Sequence, residues 1–223
     1  MVRAVIFDLD GVIIESAEIK TKAFELLFAD YPDKLPEMID YHNRNSGYSR
    51  YVKFRHFYEK ILGQELSPQR ERELGERFSQ IVLDEVIKAP LVAGVEDFLK
   101  SNHGSYLRFI ASGTPEDELR YILKQRRLDT YFQGAYGTPR TKPEIIKYIL
   151  AEHQIHNSEA VFVGDAESDK MAAMETGITF IAKINGSDDI LDDCSWKIRD
   201  FTGLEELLDI ISKTAPEGNR DWQ

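Results

Sequence analysis

The sequence predicts an α/β protein built on a doubly wound parallel sheet, with an inserted domain made only of helices. Short apolar runs alternate with helical patterns along most of the chain, which is typical of βαβ units and therefore of a parallel sheet. After the first apolar run, about seventy residues contain no convincing strand, and such a stretch is too long for a simple crossover. We therefore expect one α/β unit and one helical unit.

The strands and helices of the α/β unit are predicted from local patterns. Val5, Ile6 and Phe7 suit a strand that is buried on both faces. Residues 112–115 supply a hydroxyl and a proline where a helix should begin, and Gly177 closes a later helix. The predicted strands are residues 4–7, 107–111, 135–137, 160–163, 178–181 and 196–198, and the predicted helices are residues 95–102, 115–126, 143–154, 168–175 and 204–212.

Residues 16–89 are interpreted as the inserted helical domain, because their turn signals separate helical patterns rather than strands. The α/β core then comprises residues 1–15 and 90–213, and residues 214–223 form a polar, loosely ordered tail. Hinges near Glu15 and Ala89 would let the helical domain close over a cleft and exclude water.

Composition excludes several classes of protein. The net charge of −11, from 28 basic and 39 acidic residues, argues against nucleic acid and against an anionic membrane surface as partners. No apolar run approaches the ~18 residues of a membrane span, and we expect no leader, because Met1-Val2-Arg3 enters the first predicted strand directly. The single cysteine, Cys194, cannot form an internal disulfide and fits a reducing compartment. We therefore expect a cytoplasmic enzyme or binding protein.

The first strand runs directly into two carboxylates, Asp8 and Asp10. Because side chains alternate along a strand, both carboxylates are expected on the same side, at the sheet edge where open α/β sheets bind ligands. Two crowded anions are costly unless a cation binds or one of them takes a proton. The pair therefore indicates a chemical function.

Three further segments place polar residues at predicted strand ends or helix starts. Ser112 and Gly113 offer a hydroxyl and free N–H groups to an anion, and Lys142 precedes another helix. Asp165 and Asp169 follow the strand at residues 160–163, although Asp169 would also suit a helix N-terminus. Together with Asp8 and Asp10, these groups are typical of metal-assisted phosphoryl transfer through an aspartyl-phosphate.

These motifs, in this order, resemble the haloacid dehalogenase superfamily of phosphohydrolases, whose core is Rossmann-like. The resemblance spans nearly the whole chain, from the segment Asp8-Leu9-Asp10-Gly11-Val12 to Asp169. The helical insert is similar to the cap of the subfamily that contains phosphoglycolate phosphatases and β-phosphoglucomutases. The resemblance thus implies an enzyme with a helical cap that acts on a small phosphorylated substrate.

The resemblance also implies roles for the individual residues. Asp8 would be the nucleophile and Asp10 the general acid and base. Mg²⁺ would be held by Asp8, the backbone carbonyl of Asp10 and Asp165, with Asp169 in support. The phosphoryl group would be bound by Ser112, Gly113 and Lys142.

Departures from the family pattern bear on the subtype. Dehalogenases lack the second aspartate, so Asp10 favours a phosphatase. The mutases carry a histidine where this chain has Lys20, which argues against a sugar phosphomutase without removing that alternative. A non-catalytic binding protein is the other alternative. In the loop at residues 47–50, Arg50 would contact a second anionic or hydroxylated end of a sugar phosphate or a phosphoglycolate-like acid. A monomer or a homodimer is expected.

Overall fold

Six parallel strands form one sheet in the computed structural model, which describes residues 1–101, 106–184 and 191–214. The order is β3-β2-β1-β4-β5-β6, so the chain winds outward in both directions from β1. The predicted doubly wound parallel sheet is confirmed. The strands are β1 (Ala4–Phe7), β2 (Leu107–Pro115), β3 (Gly134–Thr138), β4 (Ala160–Gly164), β5 (Thr179–Lys183) and β6 (Lys197–Ile198).

Burial on both faces of β1 explains its uninterrupted apolar sequence. Val5 and Phe7 belong to one hydrophobic cluster, whereas Ala4 and Ile6 belong to a second cluster on the opposite face. In the described part of the α/β unit, five α-helices accompany the sheet: α5 (Val95–Ser101), α6 (Glu116–Gln125), α7 (Lys142–Glu152), α8 (Glu167–Thr176) and α9 (Leu204–Thr214). The predicted end of the first of these helices, Asn102, and the predicted tail beyond Thr214 lie outside the described residues.

Between β1 and α5 the chain forms helices and no strand, as the sequence predicts. These helices are α1 (Ala17–Leu27), α2 (Leu35–Arg44), α3 (Arg50–His56), a π-helical turn (Phe57–Leu62) and α4 (Pro68–Lys88). Their shared interior is aromatic, with Phe24, Phe28, Phe54, Phe57 and Phe78 all buried and in ring contact with one another. We refer to residues 16–89 as the cap, and their separation from the core as a domain stays a prediction.

The two segments that connect the cap to the sheet lie side by side. Ile14 forms an antiparallel bridge with Leu91, and the Glu15 N–H donates to the carbonyl of Pro90 at 3.0 Å. The Val92 N–H donates to the carbonyl of Ile13 at 3.1 Å. The chain therefore enters and leaves the cap at the same place, next to the end of β1.

The boundary between β2 and α6 differs from the prediction. The strand continues to Pro115, and α6 begins at Glu116 with no side-chain hydrogen bond at its N-cap. Ser112 therefore does not cap this helix, because its Oγ accepts the N–H of Thr114 at 3.1 Å within the strand. The pairing of β2 with β3 shifts register between Ala111 and Pro115, which keeps the backbone extended past the predicted end.

In the part of the chain that the structure describes, no helix combines the length and the apolar composition that crossing a bilayer requires.

Candidate active site

The carboxyl ends of three neighbouring strands form one edge of the site. Asp8 directly follows β1, Ser112 lies in β2, and Asp165 directly follows β4. Because β2, β1 and β4 are adjacent and parallel, these residues share one edge of the sheet. The structure thus brings together the strand ends at which the sequence predicts the site.

Lys142 contacts two of the predicted site carboxylates. As the first residue of α7, it is held in place by a capping box between Thr141 and Glu144. Its Nζ lies 2.9 Å from Asp8 Oδ2 and also donates to Asp169 Oδ1. All three side chains are buried. Burial alone would lower the pKa of Lys142, but Asp169 and Asp8 outweigh this effect and raise it, so the ammonium is retained.

Asp8, Asp165 and Asp169 form a compact carboxylate cluster, in which one oxygen of each lies within 4.8 Å of the others. Burial raises the pKa of Asp8 to about 7 against the effect of Lys142, and Asp169 adds to the rise. Burial and the charges of Asp8 and Asp169 also hold the pKa of Asp165 well above its ordinary value. Such a cluster holds protons unless a cation binds, and hard carboxylate oxygens fit Mg²⁺.

A glycine brings the chain after β1 against this cluster. Gly11 has a φ of +77°, in the left-handed region, and a Cβ at this position would lie 2.0 Å from Asp165 Oδ2. The glycine in the segment Asp8-Leu9-Asp10-Gly11 is therefore required by both backbone conformation and space.

Asp10 lies outside the carboxylate cluster and has cationic and hydroxyl partners. Ser16 Oγ donates to its Oδ1 at 2.7 Å, Thr114 Oγ1 donates to its Oδ2 at 3.1 Å, and Lys20 Nζ forms an ion pair with the same Oδ2. Burial raises the pKa of Asp10, but Lys20 and these hydrogen bonds outweigh burial and bring it below its ordinary value. The pKa values of Asp8 and Asp10 are thus shifted in opposite directions, a pattern typical of acid and base pairs.

The cap loop that contains Gly47 covers the site. A Cβ on Gly47 would lie 2.2 Å from Ser168 Oγ and 3.2 Å from Lys142 Nζ. A Cβ on Gly113 would lie 3.0 Å from the carbonyl oxygen of Gly47. Cap and core backbones therefore approach each other closely at two glycines.

A cavity of about 240 Å³ lies between the cap and the strand ends. Its core wall includes Asp8, Asp10 and Asp165. The cap supplies the cationic wall, and the polar and charged cap residues that line the cavity are Lys20, Thr21, His42, Asn43, Ser46, Tyr48, Arg50 and Lys53. Acidic core groups and basic cap groups thus face a space of metabolite size.

Arg50 lines this cavity, but its guanidinium already has partners. It forms a two-pronged ion pair with Glu118, with contacts of 2.5 and 3.1 Å, and donates to Ser79 Oγ at 2.7 Å. The guanidinium also lies 4.4 Å from the centre of the Phe78 ring. Since Glu118 belongs to α6, this pair connects the cap to the core. Contact between Arg50 and a substrate stays a prediction.

Several site residues are not identified by sequence reasoning. Ser16 and Thr114 bind Asp10, although only the hydroxyl of Thr114 gives a signal, next to Ser112. His42 carries no signal in the sequence, yet it lines the cavity. Lys53 is indicated by the sequence only as a source of positive charge next to the Arg50 loop; it lies three residues after Arg50 and so shares a helix face with it.

Comparisons with known proteins agree with this fold. The model of the haloacid dehalogenase-like hydrolase family matches residues 5–183. Phosphoglycolate phosphatase 1 of Pseudomonas aeruginosa is 26% identical over 192 residues, which cover 82% of this chain and 70% of that protein.

Solved structures with the same fold have lower sequence identity. β-Phosphoglucomutase from Clostridium difficile gives a TM-score of 0.77 at 16% identity, covering 96% of this chain and 100% of that one. CbbY from Rhodobacter sphaeroides, solved in complex with phosphate, gives a TM-score of 0.74 at 16% identity. This match covers 94% of this chain and 100% of that one.

The fold and the site define an α/β hydrolytic enzyme whose carboxylates lie at the ends of parallel strands. The chain belongs to the haloacid dehalogenase-like hydrolase family, since the family model spans most of its length. The family predicted from the sequence is therefore confirmed.

We expect Mg²⁺ to stabilise the fold, because it would neutralise carboxylates that repel one another. At a hundredfold excess over Kd, the free energy of unfolding should rise by about 2.7 kcal/mol, measured by urea unfolding with and without Mg²⁺. Asp165→Asn should abolish most of this gain, whereas Glu167→Gln, outside the cluster, should keep it. The gain should fall as pH drops through about 7, where protons compete for Asp8. An undiminished gain in Asp165→Asn would contradict the assignment.

We expect Arg50→Ala to cost about 3–5 kcal/mol of unfolding free energy, because it leaves Glu118 buried without its cation. Arg55→Ala, on the same helix, is the matched control. Arg55 is half exposed in its pair with Glu71, so its loss should be below ~1 kcal/mol. The double variant of Arg50 and Glu118 should lose less than the sum of the single losses. Additive losses in urea unfolding would show that the pair is uncoupled.

Proposed function

We propose that the protein is a Mg²⁺-dependent phosphatase that hydrolyses a small phosphorylated metabolite through an aspartyl-phosphate. One observation carries this proposal: the carboxylate of Asp8 is paired with Lys142 and lies within a carboxylate cluster, while nearby Asp10 has a pKa shifted the other way. The name of the curated relative, a phosphoglycolate phosphatase, supports the reaction class. Solved structures with this fold include CbbY complexes with phosphate and with xylulose-1,5-bisphosphate.

In the first step, an Asp8 oxygen attacks phosphorus while Asp10 donates a proton to the leaving oxygen. The products are the free alcohol or acid and phosphorylated Asp8. In the second step, Asp10 takes a proton from a water molecule, which attacks phosphorus and releases inorganic phosphate and free Asp8. Lys142 offsets the negative charge of the phosphoryl oxygens, and Ser112 and Gly113 bind them.

A bound Mg²⁺ would be held by Asp8, Asp165 and the backbone carbonyl of Asp10, with Asp169 in support, and would add positive charge next to the phosphoryl group.

Lys20 determines the protonation state of Asp10 before substrate binds. Its ammonium keeps Asp10 ionised before substrate enters, because it lowers the pKa of that carboxyl against the effect of burial. The incoming phosphoryl group brings negative charge close to Asp10 and so raises its pKa, which favours the protonated form that the first step needs. After the leaving group departs, Asp10 is ionised again and acts as the base.

The cavity supports a compact substrate. A volume of about 240 Å³ admits a sugar phosphate or a phosphoglycolate-like acid and excludes phosphoproteins and nucleic acids. We place the enzyme in the cytoplasm, as a monomer or a homodimer that acts on a free metabolite.

Replacement of Asp8 tests the nucleophile. Asp8→Asn should reduce Mg²⁺-dependent phosphate release from a panel of small phosphomonoesters to below ~0.1% of wild type, with an unchanged circular dichroism spectrum. Retained turnover would refute the assignment. A sugar bisphosphate requirement in the wild type would indicate the mutase alternative, and no phosphate release from any ester would indicate a non-catalytic binding protein.

Replacement of Lys20 tests its effect on Asp10. Because the first step needs protonated Asp10, and Lys20→Met removes the charge that lowers its pKa, the alkaline limb of kcat/KM against pH should move to higher pH by about 1 to 3 units. Lys22→Met, an exposed lysine of the same helix, is the control and should leave the profile unchanged. An unmoved alkaline limb in Lys20→Met would show that Asp10 does not control it.

A further inference from the structure

Lys53 is a buried cation in the cavity wall. It belongs to α3 of the cap, its exposed fraction is 2%, and it lines the same cavity as Asp8 and Asp10. Its Nζ lies 5.5 Å from the centre of the Phe24 ring. Burial of an ammonium is costly unless an anion or a full set of hydrogen bonds accompanies it.

Neutral groups hold the Lys53 ammonium in place. It donates to His42 Nδ1 at 2.8 Å and to the carbonyl of Ser46 at 3.2 Å. Burial, followed by the charges of Lys53 and Lys20, lowers the pKa of His42 to about 2, so this ring is neutral and accepts at Nδ1. The other ring nitrogen, Nε2, then donates to Thr21 Oγ1 at 3.1 Å, and Thr21 donates to the carbonyl of Ala17 at 3.2 Å. Each group in this series of hydrogen bonds donates to the next, from Lys53 through His42 and Thr21 to the Ala17 carbonyl, and the series holds the Lys53 side chain in place.

The other cations of the cavity wall are neutralised by carboxylates. Lys20 pairs with Asp10, and Arg50 pairs with Glu118. For Lys53, no carboxylate of the described residues lies within 4.0 Å of Nζ. An ammonium has three N–H donors, and two of those of Lys53 have partners within the described chain.

We propose that Lys53, positioned by His42, binds a second anionic group of the substrate, at the end remote from the phosphoryl group. This inference rests on the proposed phosphatase function and narrows its substrate class to phosphorylated acids. Neutral sugar phosphates of similar size lack the group that Lys53 would bind. Lys53 then contributes to substrate selectivity, whereas the groups at the strand ends bind and react with the phosphoryl group.

The electrostatics of the cavity support this assignment. Burial, followed by the charges of Lys20 and Lys142, holds the pKa of Lys53 well below its ordinary value. A bound carboxylate or phosphate would stabilise the charged amine and accept the remaining N–H in a charge-assisted hydrogen bond. The polar chain through His42 keeps the amine in place before the anion arrives.

Matched substrates provide the test. The probes are phosphorylated hydroxy acids of two, three and four carbons, starting with 2-phosphoglycolate, and the corresponding diol monophosphates, in which a hydroxymethyl group replaces the carboxylate. Wild type should prefer at least one acid over its diol partner. Lys53→Met should lower kcat/KM for that acid by ~10- to 100-fold, mainly through KM, and change the diol values less than ~3-fold. Lys60→Met, an exposed cap lysine, should change neither.

Equal losses on acids and diols in Lys53→Met, or no preference for any acid in wild type, would overturn the inference and leave the phosphatase proposal standing. Lys53→Gln keeps a hydrogen-bond donor but removes the charge, so it separates the effect of lost charge from the effect of a disturbed fold. It should also lower kcat/KM for the acid and not for the diol.

Calorimetry with the Asp8→Asn variant separates binding from turnover. The preferred acid should bind this variant, and adding Lys53→Met should weaken that binding by ~10-fold or more. If wild type hydrolyses no ester, the phosphatase proposal fails, and the inference then fails too unless the acids bind and Lys53→Met weakens that binding.

Discussion

The buried ion pairs of Lys142 join three separate segments of the α/β unit. Its ammonium contacts Asp8, at the end of β1, and Asp169, in the first turn of α8, while Lys142 itself begins α7. Loss of this cation would leave like charges buried beside Asp165, which is strongly destabilising. The same contact therefore sets the relative positions of the three segments and the charge state of the site. Stability and chemistry depend on one ammonium group.

The cap adds charges that the core lacks. Lys20 from α1 is the cation next to Asp10, and Arg50 from α3 is the partner of Glu118. If the cap moved away, Asp10 would lose its cation and Glu118 would lose its guanidinium. The lowered pKa of Asp10 therefore belongs to the state in which the cap covers the strand ends. In that state the covered site is also shielded from water, so the electrostatic effects act in a low-dielectric space.

The strands and the carboxylates that follow them could be predicted from local patterns. An apolar run that ends in an aspartate identifies both a buried strand and its carboxyl end, as for Asp8 and Asp165. The end of β2 could not be predicted, because the hydroxyl of Ser112 satisfies an N–H within the strand instead of capping a helix. The partner of Arg50 could not be predicted either. Glu118 lies far along the chain, and only the packing of α6 against the cap brings the two together.

The distribution of charge shows where an acidic protein could bind the anionic substrate that we propose. The chain carries a net charge of −11, which repels phosphorylated molecules from most of its surface. Inside the cavity, Lys20 and Arg50 are compensated by carboxylates, so their contribution to attraction is largely cancelled. Lys53 has no carboxylate of the described residues within ion-pair distance, and burial and the charges of Lys20 and Lys142 lower its pKa. A bound anion would therefore stabilise the charge of Lys53, in a buried space where Coulomb interactions are strong. Paired cations thus line the cavity, and in the proposed function the anion would be bound by Lys53, whose hydrogen-bond partners are neutral.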